Sequence, residues 1–228
     1  MIGTLYIIGT PIGNLEDITL RAIRILGGVD TILCEDTRTT KKLLNKYNIN
    51  KPTMSYHSHS TLSKEDVIIR MLKEGKNLAL VSDAGTPCIS DPGVLLVARV
   101  REKFGDEVSI VPIPGPSALV SALSASGMPA SEFLFLGFLP HKKGRETLFK
   151  EISESKRTVA FYESTHRIIK TLESLEKHLD AKRQVIIARE LTKMFEEIKK
   201  GTASELTIFF GSNPSKVRGE FVVIVEGR

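Results

Sequence analysis

Residues 78–93 read LALVSDAGTPCISDPG, and the change of character along them sets the fold class. Leu78-Ala79-Leu80-Val81 is a short apolar run bounded by turn residues, the pattern of a buried strand. Ser82-Asp83-Ala84-Gly85-Thr86-Pro87 is too rich in Gly, Pro and small polar groups to continue a sheet. Asp91-Pro92 restarts the chain as an N-cap acid followed by proline at the first helical position, ahead of Val94-Leu95-Leu96-Val97. Strand, loop and helix in that order place a loop at the carboxyl end of a strand, where open α/β sheets bind ligands. A tight connection that needs its glycine and prolines for geometry alone would read the same way.

The same unit recurs on both sides. Upstream, Leu5-Tyr6-Ile7-Ile8 is a strand that ends in Gly9-Thr10-Pro11-Ile12-Gly13-Asn14. Asp17 or Thr19 then caps a helix with Leu20, Ile23 and Leu26 at helical spacing. Thr31 to Cys34 is a second strand, ending in Glu35-Asp36-Thr37-Arg38 before a basic helix through Lys41, Lys42 and Lys46. Thr53 to Tyr56 is a third, running into His57-Ser58-His59-Ser60, and Ser63-Lys64-Glu65-Asp66 resembles a capping box. Downstream, Val108 to Val111 is followed by Ile113-Pro114-Gly115-Pro116-Ser117-Ala118 and a small-residue helix from Leu119 to Ser126. Repeated strand–helix units with right-handed crossovers predict a mostly parallel, doubly wound sheet.

Gly127-Met128-Pro129 punctuates the chain, and a hinge is expected between Pro114 and Glu132. The predicted domains are residues 1–115 and 116–228, the second a smaller α/β domain with a mixed sheet. Its strands are expected at Phe133 to Leu139, Thr158 to Tyr162, Gln184 to Ala188 and Phe221 to Val225. Its helices are expected at Arg145 to Ser153, His166 to Leu179 and Ala203 to Phe210.

Composition narrows the class. The chain of 228 residues is 41% hydrophobic and 26% charged, as a globular protein with a true core should be. No apolar run approaches the roughly 18 residues that a membrane helix needs, and the first residues break at Gly9 and Pro11 and lack a basic start, unlike a signal peptide. Two cysteines without a CxxC or a Cys/His cluster argue against a disulfide frame or a structural zinc. A cytoplasmic location is the expectation. The formal net charge of +5 lies entirely in residues 141–228, since the acids and bases of residues 1–140 cancel. That asymmetry points to a polyanionic partner or to a solvated lysine face.

Pro11 removes a donor that a phosphate cradle would want, GTPIGN is not GxGxxG, and no GxxxxGK[ST] occurs. A pyrophosphate cofactor and a nucleoside triphosphate are both disfavoured, which leaves a ligand with ribose-like hydroxyls and little phosphate. His57 and His59 read as a surface pair without a third metal ligand. Lys142, Lys143 and Arg145 form a basic turn that is either solvated or in contact with phosphate. Two strand ends of the second domain, at Tyr162-Glu163-Ser164-Thr165-His166-Arg167 and Arg189-Glu190-Leu191-Thr192-Lys193, carry charges that need partners or a function.

In order along the chain, TPIGNLEDITLRA, EDTRTTKKLL, LVSDAGTPCISDPG, IPGPSALVSALSASGMP, FLGFLP, FYESTHR, ARELTKMFEE and RGEFVVIV closely resemble the family of ribosomal RNA small subunit methyltransferase I within the tetrapyrrole methylase superfamily. Cys88 stands where that family usually has glycine. The resemblance implies two α/β domains, S-adenosylmethionine as cofactor in the cleft between them, a homodimer, and 2′-O-methylation of a cytidine ribose in 16S rRNA near the decoding centre of the small ribosomal subunit. Carried over, it has the cofactor touch Thr10, Pro11, Asp83, Gly85, Thr86, Ile89, Ser117, Ala118, Tyr162, Glu163, Leu191, Thr192 and Glu220. Removal of the ribose hydroxyl proton asks for a base among Glu35, Asp36, Glu190 and, if its pKa is depressed, Lys193. The favoured assignment is Asp36 at the substrate side, its neighbour Glu35 pointing to the opposite side if the strand persists that far, with Lys193 as the partner of Asp36 or as the group that orients the ribose. Arg38, Arg167 and Arg189 bind RNA phosphates or brace these carboxylates, and Lys142, Lys143 and Arg145 join the RNA-binding set. A corrin or siroheme C-methyltransferase is the alternative on the same fold, and a non-catalytic RNA-binding protein would explain the basic half alone.

Overall fold

The computed structural model describes residues 2–57, 62–91 and 93–228; His59 and Pro92, both read above, lie outside them. The chain divides into two compact units, residues 1–117 and 118–228.

In the first unit the strands β1 (Thr4–Ile8), β2 (Thr31–Cys34), β3 (Thr53–Ser55), β4 (Leu78–Leu80) and β5 (Ser109–Ile113) form one sheet in the order β3-β2-β4-β1-β5. All its pairings are parallel. The helices are α1 (Leu20–Gly28), α2 (Thr37–Lys46), α3 (Leu62–Lys73) and α4 (Gly93–Phe104). Side chains alternate across a strand, so a sheet covered on both faces needs apolar residues at every position. Leu78 and Leu80 join Leu5, Leu33, Ile68, Leu72 and Leu96 on one face. Ala79 and Val81 join Ile8, Ile32, Ala22 and Leu26 on the other. The organising run is thus the middle of a doubly covered sheet. Pro112, which cannot donate to a ladder, sits on the edge strand β5.

Thr19, not Asp17, caps α1, its hydroxyl accepting from the Ala22 N–H at 3.1 Å. The buried face of that helix is Ala22 and Leu26, while Leu20 is 86% exposed, so the expected stripe is shifted. The helix α3 begins at Leu62, which places Ser63 inside its first turn. Asp91 accepts from the Gly93 N–H at 2.7 Å, as an N-cap acid should.

The second unit runs α5 (Ala118–Ser126), β6 (Phe133–Phe138), α6 (Arg145–Glu154), β7 (Thr158–Ser164), α7 (Ile168–His178), β8 (Gln184–Arg189), β9 (Glu197–Thr202), α8 (Ala203–Ser212) and β10 (Glu220–Val225). Its sheet has the order β6-β7-β10-β8-β9, with β6 and β7 parallel and the other pairs antiparallel. Phe149, Phe161, Phe210 and Phe221, all fully buried, anchor its core. Thr202 and Glu205 form a reciprocal capping box that starts α8 directly after β9. The fold class is the expected one, two α/β units with a parallel doubly wound sheet first and a mixed sheet second. The strand β9 is an element the sequence pattern did not announce.

Candidate active site

The loops that leave the carboxyl ends of β1, β4 and β5 are bound to one another. Thr10 and Gly85 exchange both backbone hydrogen bonds, at 2.9 and 3.0 Å. The Thr10 hydroxyl donates to the Ser82 carbonyl at 3.1 Å, and the Ser82 hydroxyl donates to the Gly85 carbonyl at the same distance. The Thr86 hydroxyl donates to the Pro116 carbonyl at 3.1 Å. Gly9 and Gly115 pass so closely that a Cβ on Gly9 would lie 2.8 Å from Gly115 Cα. Gly85 holds φ +83°, and Cys88 and Ser90 hold φ +71° and +60° without being glycine. The left-handed backbone at Cys88 is one that glycine would hold without strain, in keeping with the glycine that the resemblance leads one to expect there. Thr10, Pro11, Gly85, Thr86 and Ser117 are therefore brought to one edge of the sheet, with Thr10 occupied in holding the loop. Ile89 is exposed beside them.

A cavity of ≈ 50 Å³ opens at this edge, bounded by Thr10, Pro11, Thr39, Thr40, Ser82 and Asp83. Of these, Thr39, Thr40 and Ser82 were not anticipated. Thr39 and Thr40 follow EDTR on the first turn of α2, and only the position of that helix against the neighbouring loops reveals them.

Glu35 and Asp36 stand differently from the expectation. The strand stops at Cys34, and Asp36 is the N-cap of α2, accepting from the Arg38 N–H at 2.8 Å. The Arg38 guanidinium closes on the same carboxylate, with Nη2 at 2.6 Å from Oδ2 and Nε at 3.1 Å from Oδ1. These hydrogen bonds hold the Asp36 carboxyl down to about 2. Arg38 thus takes the bracing role, although its side chain is 88% exposed. Asp83 Oδ1 accepts from the Asp36 N–H at 3.0 Å, and the Asp83 N–H donates to the Glu35 carboxylate. Burial, reinforced by the charges of Asp91 and Asp83, pushes the Glu35 carboxyl above its ordinary value. Asp91 Oδ2, near Glu35, is buried with no hydrogen-bond partner among the described residues.

In the second unit, Glu163 is a structural pivot. Its side chain is fully buried, with Arg167 Nε at 2.7 Å, Arg145 Nη2 at 3.3 Å and the Thr171 hydroxyl at 2.7 Å. Arg167 also donates to the Leu139 carbonyl and Arg145 to the Pro140 carbonyl, at 2.7 and 3.1 Å. The expectation that Arg145 meets RNA is corrected here, and of the two roles open to Arg167 the structure shows bracing: both guanidiniums are engaged inside the protein and fix the loop after β6. Only Lys142 and Lys143 of that basic turn are exposed. Both carboxylate oxygens of Glu163 are thus engaged within the protein. Arg189 is likewise 7% exposed and donates to Glu197 and to the Lys216 and Arg218 carbonyls, so it too braces and does not bind phosphate.

Tyr162 is half-buried against Phe135 and Phe138, with ring centroids at 5.0 and 5.4 Å. Burial raises its pKa, tempered by a hydrogen bond from the Leu119 N–H next to Ala118. Lys193 Nζ lies 2.8 Å from Glu190 Oε1 and 2.9 Å from Glu220 Oε2. Burial alone would lower its pKa, but the two carboxylates raise it, so it is held as an ammonium and does not serve as a base. Its partners within the second unit are Glu190 and Glu220. Lys193 in turn holds Glu190 below its usual value despite partial burial. Leu191 is buried, and Thr192 adopts φ +66° beside it.

Residues 4–207 match the family model for Tetrapyrrole (Corrin/Porphyrin) Methylases. Proteins named ribosomal RNA small subunit methyltransferase I are 47% identical to this chain in three species. In Pasteurella multocida the match covers 99% of this chain and 80% of the relative, and in Escherichia coli O157:H7 it covers 99% and 78%. In Thermotoga maritima it covers 99% of both. The chain belongs to the ribosomal RNA small subunit methyltransferase I family of the tetrapyrrole methylases. Like the family, it is a methyltransferase. The solved structures of a cobalt precorrin-4 methyltransferase and of uroporphyrin-III-C-methyltransferase from Thermus thermophilus share its fold, with TM-scores of 0.68 and 0.64. Each covers 98% of this chain and 94% of its own, at 18% and 17% identity.

Proposed function

We propose that this methyltransferase acts on the 2′-hydroxyl of a cytidine ribose in 16S rRNA, near the decoding centre of the small ribosomal subunit, with S-adenosylmethionine as the methyl donor. The observation that carries this is the 47% identity over 99% of the chain to relatives whose name specifies small-subunit ribosomal RNA. The corrin and uroporphyrin enzymes share only the fold at 17–18% identity, so the tetrapyrrole alternative is not favoured.

The donor set of the first unit fits such a cofactor. Residues 82–91 contain no Lys or Arg that would grip phosphate, while the exposed Asp83 carboxylate suits ribose hydroxyls or an ammonium. Gly85, Cys88 and Ser90 turn the backbone left-handed, which keeps the loop open without bulk at Gly85. Ser117, and from the second unit Ala118, Tyr162, Leu191, Thr192 and Glu220, belong to the proposal through the family resemblance. When bound, the cofactor supplies an electrophilic sulfonium methyl group.

The chain's own task is to orient the ribose and take its proton. Glu35 suits that task better than Asp36. Its carboxylate is engaged by one backbone N–H and is made more basic by burial and by its acidic neighbours. Asp36 is already committed to a helix cap and to Arg38. Lys193, clasped by two glutamates, orients and does not deprotonate. Lys142 and Lys143 are the exposed cations offered to RNA phosphates.

The test is incubation of the protein and labelled S-adenosylmethionine with small ribosomal subunits that lack the modification, followed by nucleotide mapping. One 2′-O-methylated cytidine in 16S rRNA is the expected product. Label on a base, or no label on RNA but transfer to a tetrapyrrole carbon, overturns the proposal. Sedimentation of the purified protein checks the homodimer that the resemblance adds to it.

A further inference from the structure

Met194 and Phe195 are adjacent in sequence, 90% and 66% exposed, on the loop that joins β8 to β9. This loop is braced. The Lys193 N–H donates to the Glu190 carbonyl at 3.0 Å, and the Glu196 N–H donates to the Lys193 carbonyl at 3.1 Å. The Thr192 N–H donates to the Glu196 carboxylate, and Lys193 spans Glu190 and Glu220. The Glu220 N–H donates to Glu190 Oε1 at 3.1 Å. Glu190 fills the space beside Gly219, where a Cβ would lie 2.2 Å from its carboxyl carbon. Glu190 and Thr192 hold left-handed backbone without being glycine, a conformation that persists only where the surroundings over-determine it. A stiff loop with no apolar cover for its two largest side chains is built to meet something.

We propose that Met194 and Phe195 form a stacking platform for an unpaired base of the RNA substrate. The inference rests on the reading that this substrate is RNA. A rigidly presented ring loses little freedom when a base stacks on it, and every base has a π-face to offer. Two side chains fall far short of the roughly 1,000 Å² that a stable protein interface buries, but they match the area of one or two bases. The whole +5 excess of the chain lies in residues 141–228, the part that contains the pair. Those features favour a polyanion with flat apolar faces over a second protein.

The chain contains no tryptophan, so Phe195→Trp creates a single reporter on the platform. A single-stranded oligoribonucleotide of about ten nucleotides should quench its emission, and a duplex of the same length should quench it much less. Phe195→Ala should weaken binding of that oligonucleotide about tenfold and raise the KM for methylation of small-subunit RNA by a similar factor. The kcat and the melting temperature should stay near those of the unaltered protein, and Phe195→Tyr should restore binding. Unchanged affinity and KM in Phe195→Ala overturn the inference. So does Trp emission that shifts with protein concentration alone, which would assign the platform to a second copy. If the unaltered protein methylates no RNA but the reporter is still quenched, the proposed function falls and the platform stands. If methylation proceeds and Phe195→Ala changes nothing, the platform alone falls.

Discussion

At Glu35 and Asp36, adjacent carboxyls titrate in opposite directions because one faces a half-buried acidic corner and the other caps a helix beside Arg38. Under the proposed chemistry, Glu35→Gln keeps the shape but removes the base, and single-turnover methylation should fall about 100-fold or more with cofactor affinity nearly unchanged. Asp36→Asn should fall only a few-fold, since asparagine also caps helices. Equal, small effects of both substitutions would leave positioning as the only contribution of this corner. The pH dependence has a definite sign. Glu35 acts as a base only when ionised, and its raised pKa puts the acid limb of the rate profile above 4.5. The same shift means that Glu35 adds to stability at acid pH and loses that contribution as pH rises through its folded value. Asp36, held near 2, behaves oppositely: its contribution is present above the ordinary 3.8 and is lost as pH falls through about 2. A rate profile flat down to pH 4.5 would remove Glu35 from the base role.

At the scale of elements, the buried knot of Glu163, Arg145, Arg167 and Thr171 ties β7, α7 and the loop after β6 together. Glu163→Ala would leave two nearly buried guanidiniums without their counter-charge, and should cost about 3–5 kcal/mol in urea unfolding. A loss below about 1 kcal/mol would show the arginines finding water, and the knot would then not fix the loop. The knot also shows why site roles were harder to read than elements. The alternation of LALV and the Gly/Pro breaks after each strand announced the parallel sheet, because burial and turn chemistry act on neighbouring residues. Strand β9, EIKKGT, was missed because it is a sheet edge with four polar or charged side chains and one buried residue. FYESTHR and ARELTK showed charges at strand ends, but not which way they face: Arg167 turns in to Glu163 of its own motif, while Arg145 and Arg189 meet Glu163 and Glu197, 18 and 8 residues away. Gly85 was legible as a special position for the right residue and an incomplete reason. Its φ of +83° and its bridge to Thr10 demand glycine before any ligand does. Gly85→Val should therefore lower both cofactor affinity and thermal stability, and a loss of affinity alone would instead indicate contact with the ligand.

Over the whole molecule, charge separates the two tasks that the proposed function requires. The loop of residues 82–91 has no cation, and the excess of five positive charges lies in residues 141–228. Not every cation of that part is available, however: Arg145, Arg167 and Arg189 neutralise buried or half-buried glutamates and cannot release counterions from RNA. The electrostatic contact with RNA must then come from exposed cations such as Lys142 and Lys143, held in place by the arginines beneath them. In a plot of log affinity against log salt, each phosphate neutralised adds about 0.7 to 0.9 to the slope. The double substitution Lys142→Ala, Lys143→Ala should flatten the slope by about 1 to 2 with stability unchanged. Arg145→Ala should lower the melting temperature, and its effect on RNA affinity should track the unfolding of the loop after β6 and vanish under conditions where the variant is fully folded. A salt slope that flattens in folded Arg145→Ala and stays unchanged in the double lysine variant would return Arg145 to the RNA surface.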